Sequence, residues 1–227
     1  MNIAIIPARG GSKRIPRKNI KAFHGKPMIA YSIEAAVNSQ CFDKIIVSTD
    51  DEEIAEVAIK YGAEVPFMRP ADISDDYATT LDVIKHAIEF TDSQSWAVKN
   101  VCCIYATAPF LTHEFIQKGL SKLTSAEIDY AFSATSFPFP IQRALKLNDE
   151  QRVEMFQPEH LNTRSQDLEE SYHDAGQFYW GTKSAFLQGK PFFSPQSKAV
   201  LLPRKRVQDI DTNEDWELAE ALYKTLL

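Results

Sequence analysis

Two clusters in this sequence combine residue types and spacing that could do chemistry. The first is Ile5-Ile6-Pro7-Ala8-Arg9-Gly10-Gly11-Ser12-Lys13-Arg14-Ile15-Pro16-Arg17-Lys18-Asn19, where an apolar segment opens into a loop dense in positive charge. Such a loop suits an anion. Gly10 and Gly11 are able to take positive φ and turn backbone N–H groups toward a ligand, while Arg9, Lys13, Arg14, Arg17 and Lys18 supply countercharge. Triphosphate is the obvious guest, yet the spacing fits neither a Walker A loop nor the glycine pattern of a dinucleotide site. A Gly-Gly pair alone would do no more than turn the chain after a strand. The charge argues for more: the whole chain has a formal net charge of −6, whereas residues 9–26 contain no acid and add Lys21 and Lys26. A polyphosphate, a nucleic acid or an acidic protein surface would each answer that excess, and charge alone does not choose among them.

The second cluster is Asp209-Ile210-Asp211. At the end of a strand, residues two apart point the same way, so both carboxylates are expected to face one site while Ile210 faces the core. That pair suits Mg²⁺ (or Mn²⁺), which takes one or two carboxylates and fills its shell with water and phosphate oxygens. On its own an Asp-x-Asp in an acidic chain is as readily a surface or helix-capping feature; Asp211 before Thr212 would also favour a helix N-terminus. The five histidines show no metal-ligand spacing. His173, beside Asp174 in an aromatic segment, is the one placed to meet an acidic sugar.

These clusters need a scaffold, and the length suits one α/β domain with an appendage. Asn2 to Pro7 reads as a buried strand, and Pro27 to Ser39 as a helix with proline at its first position. Lys44 to Thr49 is a second strand. Asp50 with Glu53 predicts a capping box for a helix that stops at Gly62, and Ala63 to Met68 a further short strand. A helix over Thr80 to Phe90, a strand over Val101 to Tyr105, a helix capped by Thr112 and a strand over Tyr130 to Thr135 follow. Ala199 to Leu202 and Val207 to Ile210 are expected as closing strands, and Thr212 as the cap of the last helix. Alternating strands and helices imply a mostly parallel sheet between helices, with ligands bound beyond the carboxyl ends of the strands. There the Arg9 loop, Arg69 and the turn after Tyr105 would emerge.

Phe137-Pro138-Phe139-Pro140 breaks this rhythm, and Leu145 to Leu147 with Arg152 to Phe156 reads as a hairpin. Residues 137–180, rich in aromatics, are therefore expected as an inserted arm between parts 1–136 and 181–227 of the main domain. It would serve as a lid, a contact with a second subunit or an extension packed on its own core. Cys41, Cys102 and Cys103 are odd in number and two are adjacent in an apolar run, which predicts reduced, packed thiols. The opening apolar run is too short for a signal sequence or a membrane span, so a cytoplasmic protein without a membrane partner is expected.

Ile6 to Lys13 with Pro16-Arg17-Lys18-Asn19 resembles the signature of the acylneuraminate cytidylyltransferases, which couple CTP to nine-carbon acidic sugars. The likeness continues through Ile46-Val47-Ser48-Thr49-Asp50, Arg69-Pro70-Ala71-Asp72, Thr79-Thr80, Tyr105-Ala106-Thr107-Ala108-Pro109 and Asp209-Ile210-Asp211, and so spans nearly the whole chain. Kdo cytidylyltransferases are similar but usually carry proline where this chain has Asn19. Arg14 and Tyr105 stand where sialate synthetases commonly have glycine and glutamine, and together with Asp174 to Trp180 they resemble the branch of the family that activates pseudaminic acid. The resemblance implies a nucleotide-diphospho-sugar transferase fold, a homodimer bridged by the arm, and Mg²⁺ on Asp209 and Asp211. It implies nucleotide contacts from Ala8, Arg9, Gly10, Gly11, Ser12, Lys13 and Lys18, with Asn19 and Arg69 reading cytosine and Thr80 meeting phosphate. Tyr105, Gln177 and Tyr179, with His173, would line the sugar side, and Arg9, Lys18 and Asp211 would carry the chemistry. A binding domain for nucleotide or nucleic acid would have no need of Asp209 and Asp211, and outside one loop the chain is acidic with no aromatic-basic RNA-binding pattern. No nucleic-acid partner is expected.

Overall fold

An unbroken apolar run has no polar face to offer solvent, and Asn2–Pro7 (β1) accordingly lies inside a six-stranded sheet. The computed structural model describes residues 1–75, 77–124 and 127–226. After β1 come the basic loop and a minimal antiparallel pair, Ala22–Phe23 (β2) and Lys26–Pro27 (β3), then helix Met28–Ser39 (α1), strand Lys44–Ser48 (β4) and helix Glu52–Lys60 (α2). Helix Thr80–Ser93 (α3), strand Asn100–Ile104 (β5), helix His113–Leu123 (α4) and strand Tyr130–Ser136 (β6) follow. A hairpin of Leu145–Leu147 (β7) and Val153–Met155 (β8) precedes the long strand Tyr172–Thr182 (β9), and helix Lys183–Gln188 (α5), strand Ser197–Leu201 (β10) and helix Asn213–Lys224 (α6) close the chain.

The sheet order is β10-β6-β9-β5-β1-β4, parallel throughout except that β9 runs antiparallel to both of its neighbours. The expected mostly parallel sheet is therefore present. Ile29, Ile33, Ile54 and Ile116 from α1, α2 and α4 pack on one face, and Ile84, Ile88 and Phe186 from α3 and α5 on the other. At Gly119, α4 lies so close to β9 that an added Cβ would stand 2.5 Å from the Trp180 ring, whose N–H donates to the Ile116 carbonyl. A third apolar cluster joins Ile15 and Phe23 to Trp216 and Ala219. It ties the far end of the basic loop to α6 and so sets the distance between the two candidate chemical clusters.

Several expectations change. The cap of α2 is Asp51, whose carboxylate accepts from the Ile54 N–H, so Asp50 is released for other work. Pro27 occupies the cap position of α1 and not its first helical residue. Thr112 stands at the cap position of α4 without a side-chain hydrogen bond to it. Ala63 to Met68 contributes only isolated parallel bridges at Glu64 and Met68, since Pro66 has no N–H for a ladder. Val207 to Ile210 is not a strand. Side chains hold its two ends instead, Gln177 donating to the Arg206 carbonyl just before it and Lys18 to the Ile210 carbonyl, while β10 has already closed that edge of the sheet. Residues 172–180, expected in the arm, form the strand between β5 and β6, because an apolar run through Phe178, Tyr179 and Trp180 buries best at the sheet centre. The excursion outside the sheet is residues 137–171, with the expected hairpin in it.

Candidate active site

The loops at the carboxyl ends of β1, β4 and β5 meet the start of α3 and the segment before α6 around a cleft of about 500 Å³. Arg9, Ser12, Lys13, Arg14, Lys18, Asn19, Arg69, Thr80, Tyr105 and Asp211 line it, together with Pro7, Ile73, Asp75, Ala78, Val83, Ala106 and Thr107. Most of the candidate residues are therefore brought together. Ala8, Gly10 and Gly11 build the loop behind this wall. Asp209, His173, Gln177 and Tyr179 are not among the lining residues.

The loop is held by its surroundings more than by its glycines. Neither Gly10 nor Gly11 has positive φ; Arg17 does, at 56°. Gly10 matters through proximity: its N–H donates to the Asp50 carboxylate at 2.9 Å, and an added Cβ would lie 2.6 Å from Asp51 Oδ2. The Ala8 N–H donates to the Ser48 carbonyl, continuing the β1 to β4 ladder into the loop. Arg17 turns away and forms a two-pronged pair with Asp51 plus a contact with Glu53, so it does not contribute to the anion cradle as its sequence position suggested. Lys26 pairs with Glu34, and Lys21 lies over the Trp216 ring. The local excess of charge is thus partly answered by residues distant in sequence. Arg9, Lys13, Arg14 and Lys18 face the cleft, with the Arg9 guanidinium donating to the Asp75 carbonyl at 3.0 Å.

Asn19 is buried, and its amide donates to the Arg9 carbonyl at 3.0 Å, pinning the start of the loop to its end. Arg69 is the most constrained cation here. Its side chain is 3% exposed, Nε donates to Ser74 Oγ at 3.2 Å, and Nη2 lies 3.7 Å from Asp50. That distance is an ion pair and not a hydrogen bond, and among the described residues Nη2 has no hydrogen-bond partner. Burial lowers the pKa of Arg69, opposed by Asp50. A buried donor left unpaired costs roughly 1–3 kcal/mol. Arg69 lines the cleft, so a carbonyl or phosphoryl oxygen bound there would recover that cost.

Tyr105 brings an aromatic ring to the lining, with Tyr179 behind it. Tyr105 has its ring 5.5 Å from that of Tyr179, and burial raises the pKa of both phenols, most strongly for Tyr179, whose hydroxyl donates to Asp174. Asp174 also accepts from the Gly176 N–H at 2.9 Å. Here β9 bulges: Phe132 pairs with Tyr179 but Ala134 with Asp174, and Ser133 Oγ accepts from the N–H groups of Gln177 and Phe178 to satisfy the displaced backbone. The Gln177 amide is buried and donates to the Arg206 carbonyl, holding the segment before Asp209, and among the described residues its Oε1 has no partner. His173 donates from Nδ1 to the Asp174 carbonyl and packs edge-on to Phe137, at the root of the arm.

Asp211 comes to the cleft with both carboxylate oxygens engaged, Oδ1 by Lys18 at 3.2 Å and Oδ2 by Arg14 at 2.9 Å. Asp209 has its pKa raised by partial loss of hydration and then by Asp211, with Lys18 opposing. Asp211 thus disfavours charge on Asp209, and two neighbouring carboxylates beside a cationic cleft fit a divalent cation shared with phosphate oxygens. Among the described residues no group of three or more His, Cys, Asp or Glu side chains forms a metal cage.

Sequence reasoning missed Asp50 and Asp174 as parts of the site. Asp50 fits the cap pattern whose place Asp51 takes, and beyond that both aspartates enter the sequence reading without a site role, within segments that carry the resemblance and, for Asp174, as the neighbour of His173. Adjacent Asp50 and Asp51 were a usable signal, since one cap needs one carboxylate.

The arrangement therefore offers cations for a polyphosphate, a buried guanidinium donor unpaired among the described residues, two neighbouring carboxylates and the Tyr105 ring. A family model described as cytidylyltransferase matches residues 3–224. The chain is 52% identical over 223 residues to the pseudaminic acid cytidylyltransferase of Campylobacter jejuni subsp. jejuni serotype O:2, covering 98% of this chain and 96% of that one. It is 38% identical over 220 residues to a Helicobacter pylori protein named pseudaminic acid cytidylyltransferase and UDP-2,4-diacetamido-2,4,6-trideoxy-beta-L-altropyranose hydrolase, covering 96% of this chain and 42% of that one. In fold it is similar to a solved CMP:2-keto-3-deoxy-manno-octonic acid synthetase complexed with CTP, with a TM-score of 0.72 at 15% identity over 100% of this chain and 99% of that one. The chain belongs to the cytidylyltransferase family.

Proposed function

We propose that this protein activates pseudaminic acid with CTP, forming CMP-pseudaminic acid and pyrophosphate. The observation that carries the reading is identity of 52% along 98% of the chain to a relative of that name. The anomeric hydroxyl of the sugar attacks the α-phosphorus of CTP in line and pyrophosphate leaves. Such transfers depend on alignment and on neutralising oxygen charge more than on covalent catalysis. Arg9 and Lys18 hold the leaving pyrophosphate, with Lys13 and Arg14 completing the cationic wall. Thr80, the first residue of α3, offers its hydroxyl and the helix N-terminus to a phosphate oxygen. Arg69 and Asn19 read the cytosine, Arg69 through its unpaired donor. Tyr105, braced by Tyr179, faces the sugar.

Asp209 and Asp211 would hold Mg²⁺ or Mn²⁺, which when bound neutralises phosphate oxygens and acidifies a coordinated hydroxyl. Asp211, which lines the cleft, is the carboxylate proposed to take the proton of the attacking hydroxyl. The arm is the proposed dimer contact. Phe139 is 79% exposed, and Leu147, Val153 and Phe156 add apolar surface on a hairpin too small to be stable by itself. The reaction is proposed to run in the cytoplasm. Among the described residues no helix is long and apolar enough to cross a membrane.

The test is pyrophosphate release with CTP and Mg²⁺, offering pseudaminic, legionaminic, N-acetylneuraminic acid and Kdo in parallel, with EDTA controls. Preference for pseudaminic acid supports the reading. Preference for another sugar keeps the chemistry and removes Arg14 and Tyr105 from the specificity argument, while no release with any sugar overturns it. Asp211→Asn should abolish turnover and spare CTP binding. Light scattering on a sizing column should give a dimer that Phe156→Asp dissociates.

A further inference from the structure

We propose that Asp50 is a positioning residue that fixes the distance between the phosphate end and the base end of the nucleotide site. A single atom makes both connections: Oδ1 accepts the Gly10 N–H at 2.9 Å and stands 3.7 Å from Nη2 of Arg69. Gly10 belongs to the anion loop, and Arg69 to a separate loop joined to Asp50's own segment by the Arg69 N–H donating to the Thr49 carbonyl. Asp50 itself does not line the cleft, and its neighbour Asp51 fills the cap of α2. Its charge therefore has no role in the helix; it faces a guanidinium whose side chain is 3% exposed.

The physical need is specific. Burial works against Arg69, and nearby Arg9 adds like-charge repulsion; Asp50 is the opposing carboxylate. Ser74 fixes Nε, and Asp50 draws the Nη2 end. Nη2 then has no hydrogen-bond partner among the described residues and is left for the ligand. An arginine without this second restraint would turn toward solvent or swing against the Asp75 loop. Base recognition would suffer first, because a base edge demands one donor direction, whereas phosphate accepts charge from many.

This inference rests on the proposed use of CTP, so the experiment begins with calorimetric titration of the wild-type protein with CTP and with UTP. Failure of the wild type to bind CTP would overturn the proposed function itself. Asp50→Asn keeps an oxygen acceptor for the Gly10 N–H and removes only the charge facing Arg69. The expected result is a CTP affinity lowered about tenfold, a narrowed CTP-to-UTP preference, and a sugar KM unchanged within about twofold. In an Arg69→Ala background, Asp50→Asn should add nothing further to the CTP constant. Asp50→Glu should recover part of the CTP preference. If Asp50→Asn binds CTP as wild type does, or if its effect multiplies with that of Arg69→Ala, Asp50 does not act through Arg69 and the assignment is overturned. A rise in sugar KM equal to that for CTP would mark a general structural role and overturn it equally.

Discussion

Replacing Gly10 by alanine and Gly11 by alanine should give very different proteins, although the two residues are neighbours in one loop. Neither has positive φ, so backbone strain does not distinguish them. Space does. A Cβ on Gly10 would stand 2.6 Å from Asp51 Oδ2, 3.0 Å from its Cβ and 3.1 Å from its Cγ, whereas one on Gly11 meets nothing within 4 Å. Asp51 has little freedom to yield, because its Oδ1 caps α2 at Ile54 and both oxygens are gripped by Arg17. Forcing a methyl group into such a contact costs about 1–3 kcal/mol, and displacing an N-cap carboxylate costs about 1 kcal/mol. If the chain relieves part of one by giving up the other, the net loss is about 2 kcal/mol, which in a chain of this size lowers Tm by about 4–8 °C. Gly11→Ala should remain within about 0.5 kcal/mol of wild type. Differential scanning calorimetry on the two variants decides the matter. A Gly10→Ala protein that melts within 2 °C (roughly 0.5–1 kcal/mol) of Gly11→Ala would refute the argument from close approach.

The other expectations concern caps, protons and thiols. Thr212→Ala removes the reciprocal capping box with Asp215 at the start of α6 and should cost about 1 kcal/mol, read as a lower melting temperature that Thr212→Ser restores. The hydrogen bond from Arg17, aided by the Ile54 N–H, holds the Asp51 carboxyl below its ordinary value of 3.8. A depressed folded pKa contributes stability that is complete above the unfolded value and is lost as pH falls through the folded one. Urea midpoints should therefore decline below about pH 4, and Asp51→Asn, already weaker at neutral pH, should decline less steeply; an unchanged slope would remove Asp51 from the acid response. Burial raises the pKa of Cys102 and Cys103, and to a smaller extent that of half-buried Cys41. A thiol reagent at pH 8 should find Cys102 and Cys103 silent in the native protein and all three thiols reactive in denaturant.

Much of the scaffold was legible because it rests on local rules. The apolar runs at Asn2–Pro7 and Asn100–Ile104 became central strands, and Thr212 capped the last helix as expected. The turn at Asn148 organised the hairpin in the arm, with Asn148 Oδ1 accepting from Glu150 and Arg152. Errors arose where two local rules competed. Asp50 and Asp51 each satisfied the cap pattern to a helix beginning at Glu52, and only the chain's path past Gly10 assigned them. Val207 to Ile210 had strand composition, but Lys18 takes the carbonyl at its end and Gln177 the Arg206 carbonyl just before it.

By itself the sequence determined the alternation of strands and helices, the cationic loop after the first strand and the carboxylate pair near the end. Periodicity and capping act within a few residues, and the loop's charge is a property of composition. Tertiary structure decided which of those charges are available. Arg17 left the cleft for Asp51, 34 residues away, and Lys18 joined Asp211, 193 residues away. It also placed β9 antiparallel in the middle of the sheet, so that its bulge sets Tyr179 and Asp174 behind Tyr105. Coulomb energy and hydrogen bonding depend on separation in space, and the packing of Ile15 and Phe23 against Trp216 and Ala219 set that separation.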